Sequence, residues 1–72
     1  MKHRLRFERE QKRLYQEEIA KLLGISKIAY ADKENGSREF KASEMFILSK
    51  FFGIKIDKLF LDYVVQKESK DE

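Results

Sequence analysis

The chain contains no proline, and each of its three glycines directly follows a stretch with helical character. Proline interrupts helices, whereas glycine is favoured just beyond a helix end because the left-handed backbone there carries no penalty without a Cβ atom. The glycines are Gly24, Gly36 and Gly53. This pattern predicts helical runs over residues 16–23, 27–35 and 45–52.

Two further helices are expected to flank these runs. The first runs from His3 to Lys12, and the last begins near Ile56 or Asp57. Short helices joined by connections of about two to six residues are typical of an all-α fold. We therefore predict a compact all-α domain of five helices over residues 1–65. Residues 61–65 fit either a continuation of the last helix or a short strand.

The size and composition of the chain exclude several classes of protein. Its 72 residues suffice for one domain, and without cysteine neither disulfides nor thiolate metal sites can stabilise the core. His3 is the single histidine and has no second candidate metal ligand. Because no nucleophile–base set or phosphate-cradling glycine loop is present, the sequence predicts no enzyme, cofactor or metal site.

The charged and apolar stretches indicate the cellular location of the protein and the distribution of its charge. No signal-peptide pattern and no run of about 18 apolar residues is present, so we expect a cytoplasmic protein without a membrane span. The formal net charge is only +3, but residues 1–13 hold six basic and two acidic side chains. Residues 66–72 have no apolar side chain to bury and are expected to form a disordered tail.

Residues 16–35 have the pattern of two helices joined by a tight turn. The residues expected to face inward are Ile19, Leu23, Ile25 and Tyr30. The small Ala20 suits a close crossing of two helices, because a larger side chain would push them apart. Lys27, Ile28 and Asp32 then face outward on the second of these helices, on the side that a DNA major groove would meet.

Four segments of the chain match a known motif in order and spacing. They are Tyr15-Gln16-Glu17-Glu18-Ile19-Ala20, Leu23-Gly24-Ile25-Ser26, Glu34-Asn35-Gly36, and Gly53-Ile54 through Asp57-Lys58-Leu59-Phe60. In these segments the chain closely resembles the Cro and phage-repressor helix-turn-helix family, also called the xenobiotic-response-element family of bacterial regulators. The resemblance implies a lambda-repressor-like DNA-binding domain whose third helix, about residues 27–35, enters the major groove of a double-stranded operator.

The resemblance also implies roles for individual residues. The implied base-reading residues are Lys27, Ile28 and Asp32. Gln16 and Asn35 match phosphate-binding positions, and the loop that holds Arg38 is expected near the DNA backbone. From the basic N-terminus, Lys2 and Arg4 are expected to add phosphate contacts. Arg9 and Glu34 match an arginine–glutamate pair of the family, which is expected to be a structural ion pair and not a DNA contact.

Four residues depart from the family pattern. Lys33 stands where an apolar or aromatic residue is usual, so the core contact of the third helix is expected from the lysine stem or from Tyr30 alone. Glu8 stands where the first helix usually has leucine, and Phe7 is the expected substitute. Phe40 replaces a common proline, and Tyr15 replaces the usual serine or threonine cap. These departures affect the expected local packing and leave the expected fold unchanged.

A single helix-turn-helix covers about one half-site of DNA, so useful specificity requires two modules about 34 Å apart. We therefore expect a homodimer. The candidate interface residues are Phe51, Phe60, Leu61, Tyr63, Val64 and Val65, because the chain stays apolar after the fifth helix is expected to end.

These expectations describe a sequence-specific DNA-binding transcriptional regulator, of the type of a phage or mobile-element repressor. The alternative is a protein-interaction module of the same fold, such as an antitoxin or a coactivator-like adaptor. The small net charge and the acidic Asp32 on the expected DNA-facing side favour that alternative.

Overall fold

Five helices follow one another along residues 3–63, the range that the computed structural model describes. They are α1 (Arg4–Gln11), α2 (Gln16–Leu23), α3 (Lys27–Glu34), α4 (Ala42–Phe52) and α5 (Ile56–Leu59). Residues 61–63 are again helical, and no strand occurs within the described range, so the all-α prediction is confirmed. Lys2, Val64, Val65 and the tail predicted at 66–72 lie outside the described residues.

The first turns of the helices are capped in two ways. The Ser26 hydroxyl accepts a hydrogen bond from the Ala29 N–H at 3.1 Å, which caps α3. At α2, the backbone N–H of Tyr15 donates to the Glu18 carboxylate at 2.7 Å, while the tyrosine side chain remains exposed. A carboxylate three residues into the helix thus satisfies the N–H of the capping position. The Glu18 N–H, which a hydroxyl cap would accept, donates instead to the Tyr15 carbonyl at 3.0 Å.

The helix ends agree with the glycine pattern, with one addition. Gly24, Gly36 and Gly53 have φ of 73°, 94° and 69°, so the predicted left-handed turns are present. The end of α1 also turns through the left-handed region, at Arg13, with φ of 57°. An arginine gives no sequence signal for such a turn, and this feature was not predicted.

The hydrophobic core draws on all five helices. Its buried members are Leu5, Ile19, Ala20, Tyr30, Leu48, Phe52, Leu59 and Phe60. In α1 the buried positions are Leu5 and Arg9, which lie four residues apart on one face of the helix. The expectation that Phe7 is the apolar contact of this helix is wrong: Phe7 is 46% exposed, because residues two positions from Leu5 lie on the other side of the helix.

Phe40 fills the space between the end of α3 and the last part of the described chain. Its ring lies 6.2 Å from Tyr30, 5.1 Å from Phe60 and 5.7 Å from Tyr63, with edge-to-face geometry in each pair. Such pairs stabilise by about 0.5–1.5 kcal/mol each beyond the burial of their area. An aromatic residue therefore takes the position where proline is common in the family.

Lys33 is joined to α4 by its charge. Its Nζ lies 2.7 and 2.8 Å from the two carboxylate oxygens of Glu44, and both side chains are buried. Tyr30 makes the expected core contact of α3, and the ion pair of the Lys33 ammonium with Glu44 is an additional contact that was not predicted. Lys41 directly precedes α4, and its backbone N–H donates to the same carboxylate at 2.9 Å.

Candidate nucleic-acid interface

The outer face of α3 is open to solvent at its beginning. Ile28 is 74% exposed and Lys27 is exposed, whereas Tyr30 is fully buried and fixes the opposite face of the helix. Within residues 3–63 the Lys27 side chain has no hydrogen bond or ion pair. Since exposed apolar and unpaired basic side chains lie together here, the face can contact both apolar and electron-rich groups of a ligand.

Asp32 lies farther along the same helix and is partly shielded. Its carboxylate is 3.7 Å from Nε of Arg38, and its backbone carbonyl accepts the N–H groups of Ser37 and Arg38 at 2.8 and 3.2 Å. The loop after Gly36 is thus folded back onto the end of α3. The structure brings Asp32 and Arg38 together, and the arginine charge offsets the acidic charge on this face.

Asn35 follows the last residue of α3 and is exposed. Its side-chain oxygen accepts hydrogen bonds from the N–H and the hydroxyl of Ser37 at 3.0 and 2.7 Å. Because these bonds occupy the amide oxygen, the amide NH₂ group is left as a donor for an outside acceptor.

Gln16 begins α2 and is half-buried. Its side-chain nitrogen donates to Oε1 of Glu34 at 3.0 Å, so the amide orientation is held by α3. One amide hydrogen remains free for a second acceptor. Of the two predicted phosphate-binding amides, that of Gln16 is therefore held by Glu34 at the end of α3, and that of Asn35 by Ser37 in the loop that follows.

The Glu34 carboxylate connects three helices. Arg9 donates to it through Nε at 2.7 Å and through Nη2 at 3.0 Å, a bidentate pair in which both side chains are buried. The Tyr30 hydroxyl donates at 2.8 Å, and Gln16 completes the set. The expected partners Arg9 and Glu34 are thus brought together, and the positions of α1, α2 and α3 depend on one anion.

Two further bonds reach the backbone of the same residue. The carbonyl of Glu34 accepts the Tyr63 hydroxyl at 2.5 Å and faces Nδ1 of His3 at 3.2 Å. The rings of His3 and Tyr63 stack with centroids 4.3 Å apart. The single histidine is therefore a buried packing residue that ties the start of α1 to the end of α3.

The environment changes the ionisation of these groups. Burial alone would raise the pKa of Glu34, but the hydrogen bonds from Arg9, Gln16 and Tyr30 outweigh it and hold that pKa below its ordinary value. Burial, with the nearby Glu34 charge, raises the pKa of Tyr30 far above its ordinary value, and Tyr63 is raised by the same two causes. The carboxylate therefore stays ionised while both phenols remain hydrogen-bond donors.

Three of the five basic residues that the structure describes between residues 3 and 13 have a carboxylate partner within the chain. Arg4 bonds Glu8 at 2.8 Å and Arg6 bonds Glu10 at 3.1 Å, each one turn along α1. The backbone N–H of Arg4 also donates to Asp62 at 2.8 Å. The described contacts of Arg4 are therefore within α1 and with Asp62, and none is with α3.

The candidate dimer residues fall into two groups. Leu61 is 53% exposed and Phe51 45% exposed. Phe60 is only 1% exposed and belongs to the core with its neighbour Leu59, so its assignment to an interface is wrong. Tyr63 is half-buried with its hydroxyl bonded to Glu34, so most of its side chain is likewise committed to the fold.

An open groove lies beside Leu61. It is lined by Arg4, Phe7, Lys58, Leu61 and Asp62. Two of these are exposed apolar side chains, Phe7 and Leu61, and the others are charged. The groove therefore combines apolar and charged side chains, as protein–protein contacts do.

Metal-binding clusters and membrane-spanning helices are both absent from the described part of the chain. Residues 3–63 contain no group of three or more potential metal-ligating side chains. None of the helices described is both long enough and apolar enough to cross a membrane.

Comparison with known proteins agrees with the arrangement of α2 and α3. Residues 5–59 match the helix-turn-helix family. The chain is also 36% identical over 61 residues to an uncharacterised helix-turn-helix type transcriptional regulator of Methanocaldococcus jannaschii, an alignment that covers 85% of this chain and 92% of the relative. No solved structure matches the chain. The matched residues and the folded pair of helices α2 and α3 show that the chain belongs to the Cro/C1-type helix-turn-helix family.

Proposed function

We propose that the chain is a sequence-specific DNA-binding transcriptional regulator that reads the major groove with the outer face of α3. The observation that carries this proposal is that face itself: Lys27 and Ile28 are exposed on a helix that Tyr30 and Glu34 hold rigidly from behind. The family, and the description of the archaeal relative as a transcriptional regulator, support the same function.

The side chains of α3 suit different base edges. Lys27 can donate to guanine O6 and N7, Asp32 can accept from cytosine N4, and Ile28 can contact a thymine methyl group. A helix of this kind enters the groove with its N-terminal residues nearest the bases. We assign base reading to these three residues.

Phosphate contacts set the register of the helix in the groove. Gln16 and Asn35 each offer an amide hydrogen, and Arg38 is an exposed cation in the loop that follows α3. Such contacts carry no sequence information but supply much of the affinity. Of the expected N-terminal contacts, Arg4 is already paired with Glu8, and Lys2 lies outside the described residues.

The active form is a homodimer in which two α3 helices reach successive half-sites. The exposed side chains Leu61 and Phe51 supply apolar area for association, and Phe7 extends the Leu61 patch across the groove. Val64 and Val65, which complete the proposed apolar tail, lie outside the described residues. In the cell the protein acts in the cytoplasm, as a repressor of the phage or mobile-element type.

The proposed function is tested by binding to duplex DNA across a salt series. A regulator that contacts phosphates shows log affinity falling linearly with log salt concentration, by about 0.9 per phosphate contact. Selection of bound sites from a random duplex pool then returns one motif, and two copies of it about one helical turn apart if a dimer binds. Retention of random sequence only would contradict specific binding.

A protein-interaction module of the same fold is the rival function. Its main support is the acidic Asp32 on the outer face of α3, which would repel phosphate. The 3.7 Å contact of Asp32 with Arg38 offsets that repulsion and favours the regulator. A flat salt dependence with random duplex DNA would favour the adaptor.

A further inference from the structure

One helix end in this chain departs from the pattern of the others. The chain enters the left-handed region after α2, α3 and α4 at a glycine, but after α1 it does so at Arg13, with φ of 57°. A side chain at such a position strains the backbone, because its Cβ approaches the neighbouring carbonyl oxygen. Glycine would relieve that strain, so the arginine is kept at a cost to stability.

The turn that holds Arg13 is anchored on both sides. The N–H of Arg13 donates to the Glu10 carbonyl at 3.0 Å, and the N–H of Leu14 donates to the Arg9 carbonyl at 3.2 Å. Nη1 of Arg9 returns a bond to the Leu14 carbonyl at 2.6 Å. The strained residue is therefore held between the end of α1 and the start of α2.

The charges around the turn differ from those of the rest of α1. Arg4, Arg6 and Arg9 each have a carboxylate partner within the chain. Lys12 and Arg13 are exposed, and neither side chain has a hydrogen bond or ion pair with any part of the described chain. The N-terminal excess of basic residues is thus reduced, within residues 3–63, to two adjacent cations in the turn.

These two cations lie close to a proposed phosphate contact in the sequence. Arg13 is three residues before Gln16, whose amide is held by Glu34 with one hydrogen left for an outside acceptor. Tyr15, between them, is exposed and leaves the space in front of the turn open to solvent. A polyanion that meets Gln16 therefore also passes the side chains of Lys12 and Arg13.

We propose that the α1–α2 turn is a phosphate-binding element in which Arg13, aided by Lys12, contacts the DNA backbone beside the phosphate bound by Gln16. The proposal rests on the proposed DNA-binding function and adds contacts that the sequence did not indicate. The left-handed turn leaves the Arg13 side chain exposed, and a contact with DNA phosphate accounts for an arginine at a position that favours glycine.

The test compares the variants Arg13→Gly and Arg13→Gln. Their thermal unfolding is measured, and so is their binding to duplex DNA between about 0.05 and 1 M salt, where counterion release makes affinity depend on salt concentration. Arg13→Gly removes both the charge and the strain. We expect it to raise the melting temperature by about 2–6 °C. We also expect it to reduce the slope of log affinity against log salt concentration by about 0.9, so that the loss of affinity is roughly eightfold greater at 0.1 M salt than at 1 M. Arg13→Gln should give the same loss of slope without the gain in melting temperature.

Lys50→Gln is the matched control, because it removes one exposed positive charge from α4. It should leave the salt slope unchanged, whereas Arg13→Lys should retain most of the original slope. An Arg13→Gly slope equal to that of the unmodified chain would overturn the proposal while leaving DNA binding intact. An equal loss of slope in Lys50→Gln would overturn it too, since net charge alone would then explain the effect. If the unmodified chain bound DNA without salt dependence, both this proposal and the proposed function would fail.

Discussion

The ammonium group of Lys33 on α3 lies 2.7 Å from Oε1 of Glu44 on α4, and the same carboxylate oxygen accepts the backbone N–H of Lys41 at 2.9 Å. One buried side chain therefore both caps α4 and holds α4 against α3. Burial alone would raise the pKa of Glu44, but the Lys33 and Lys41 bonds outweigh it and lower that pKa. The carboxylate stays charged at neutral pH, as both roles require.

Removing either charge of this pair is expected to destabilise the fold, and unequally. Glu44→Gln leaves the buried ammonium without a counter-charge, and we expect a loss of about 2–3 kcal/mol in the free energy of unfolding, below the value for fully enclosed pairs. Lys33→Met should cost less, because Glu44 keeps the Lys41 N–H and methionine fills the lysine's volume. Urea unfolding of both single variants and the double variant measures this. A smaller loss for Glu44→Gln than for Lys33→Met would contradict the assignment.

The Arg9–Glu34 pair is expected to be more critical. Arg9→Met removes two bonds to Glu34 and one to the Leu14 carbonyl. We expect a loss of about 3–5 kcal/mol, comparable with the whole unfolding free energy of a chain this size. Circular dichroism at about 10–20 °C, where small domains are typically most stable, should show partial unfolding. The i, i+4 pair on the surface provides the control: Arg6→Ala should change the melting temperature little.

The lowered pKa values of Glu34 and Glu44 predict acid sensitivity. Because both folded-state values lie below the ordinary 4.5, the stability that these carboxylates contribute is present above that pH. It is lost as the pH falls further, through the folded-state values. Above pH 4.5, titration of these two carboxylates should therefore leave the melting temperature unchanged, and below that pH the melting temperature should decline. The double variant Glu34→Gln/Glu44→Gln, if it folds, should decline less steeply over the same acid range.

Lys27 and Arg38 should separate base reading from backbone contact. Lys27→Ala removes a donor to the guanine edge, so it should relax preference at one base pair per half-site by about 1–3 kcal/mol. Arg38→Ala should weaken binding to all sequences alike and lower the salt slope by about one unit. Binding to the selected site and to its single-base variants checks both. A uniform loss of affinity in both variants would show that Lys27 does not read a base.

Leu61 and Phe60 are neighbours with opposite expected effects. Leu61→Ser removes exposed apolar area, so sedimentation should show a shift of the equilibrium towards the monomer. The melting temperature should change little, since isolated surface substitutions change stability by about 0.5 kcal/mol or less. Phe60→Ala creates a core cavity and should cost about 3–5 kcal/mol. A monomeric unmodified chain at tens of micromolar would contradict the proposed dimer.

The local features of this protein were determined by its sequence. Glycine positions and the Ser26 cap set the bounds of α2 and α3 nearly to the residue, because helix ends depend on short-range backbone sterics and hydrogen bonds. The exposure of Lys27 and Ile28 followed from the inward-facing positions of Ile25 and Tyr30. The pairing of Arg9 with Glu34 came from family resemblance, and no local pattern links residues that far apart.

Tertiary structure alone decided which charged and aromatic side chains are buried. Lys33 stands where the family usually has an apolar residue, but only the assembled fold pairs its buried ammonium with Glu44 of α4. The sequence likewise gave no reason to place Phe60 in the core while Leu61 is exposed. A charge can be buried only where an oppositely charged partner from another helix meets it, and an aromatic ring only where neighbouring helices enclose it. Both conditions depend on packing between distant segments, which exists only once the helices are assembled.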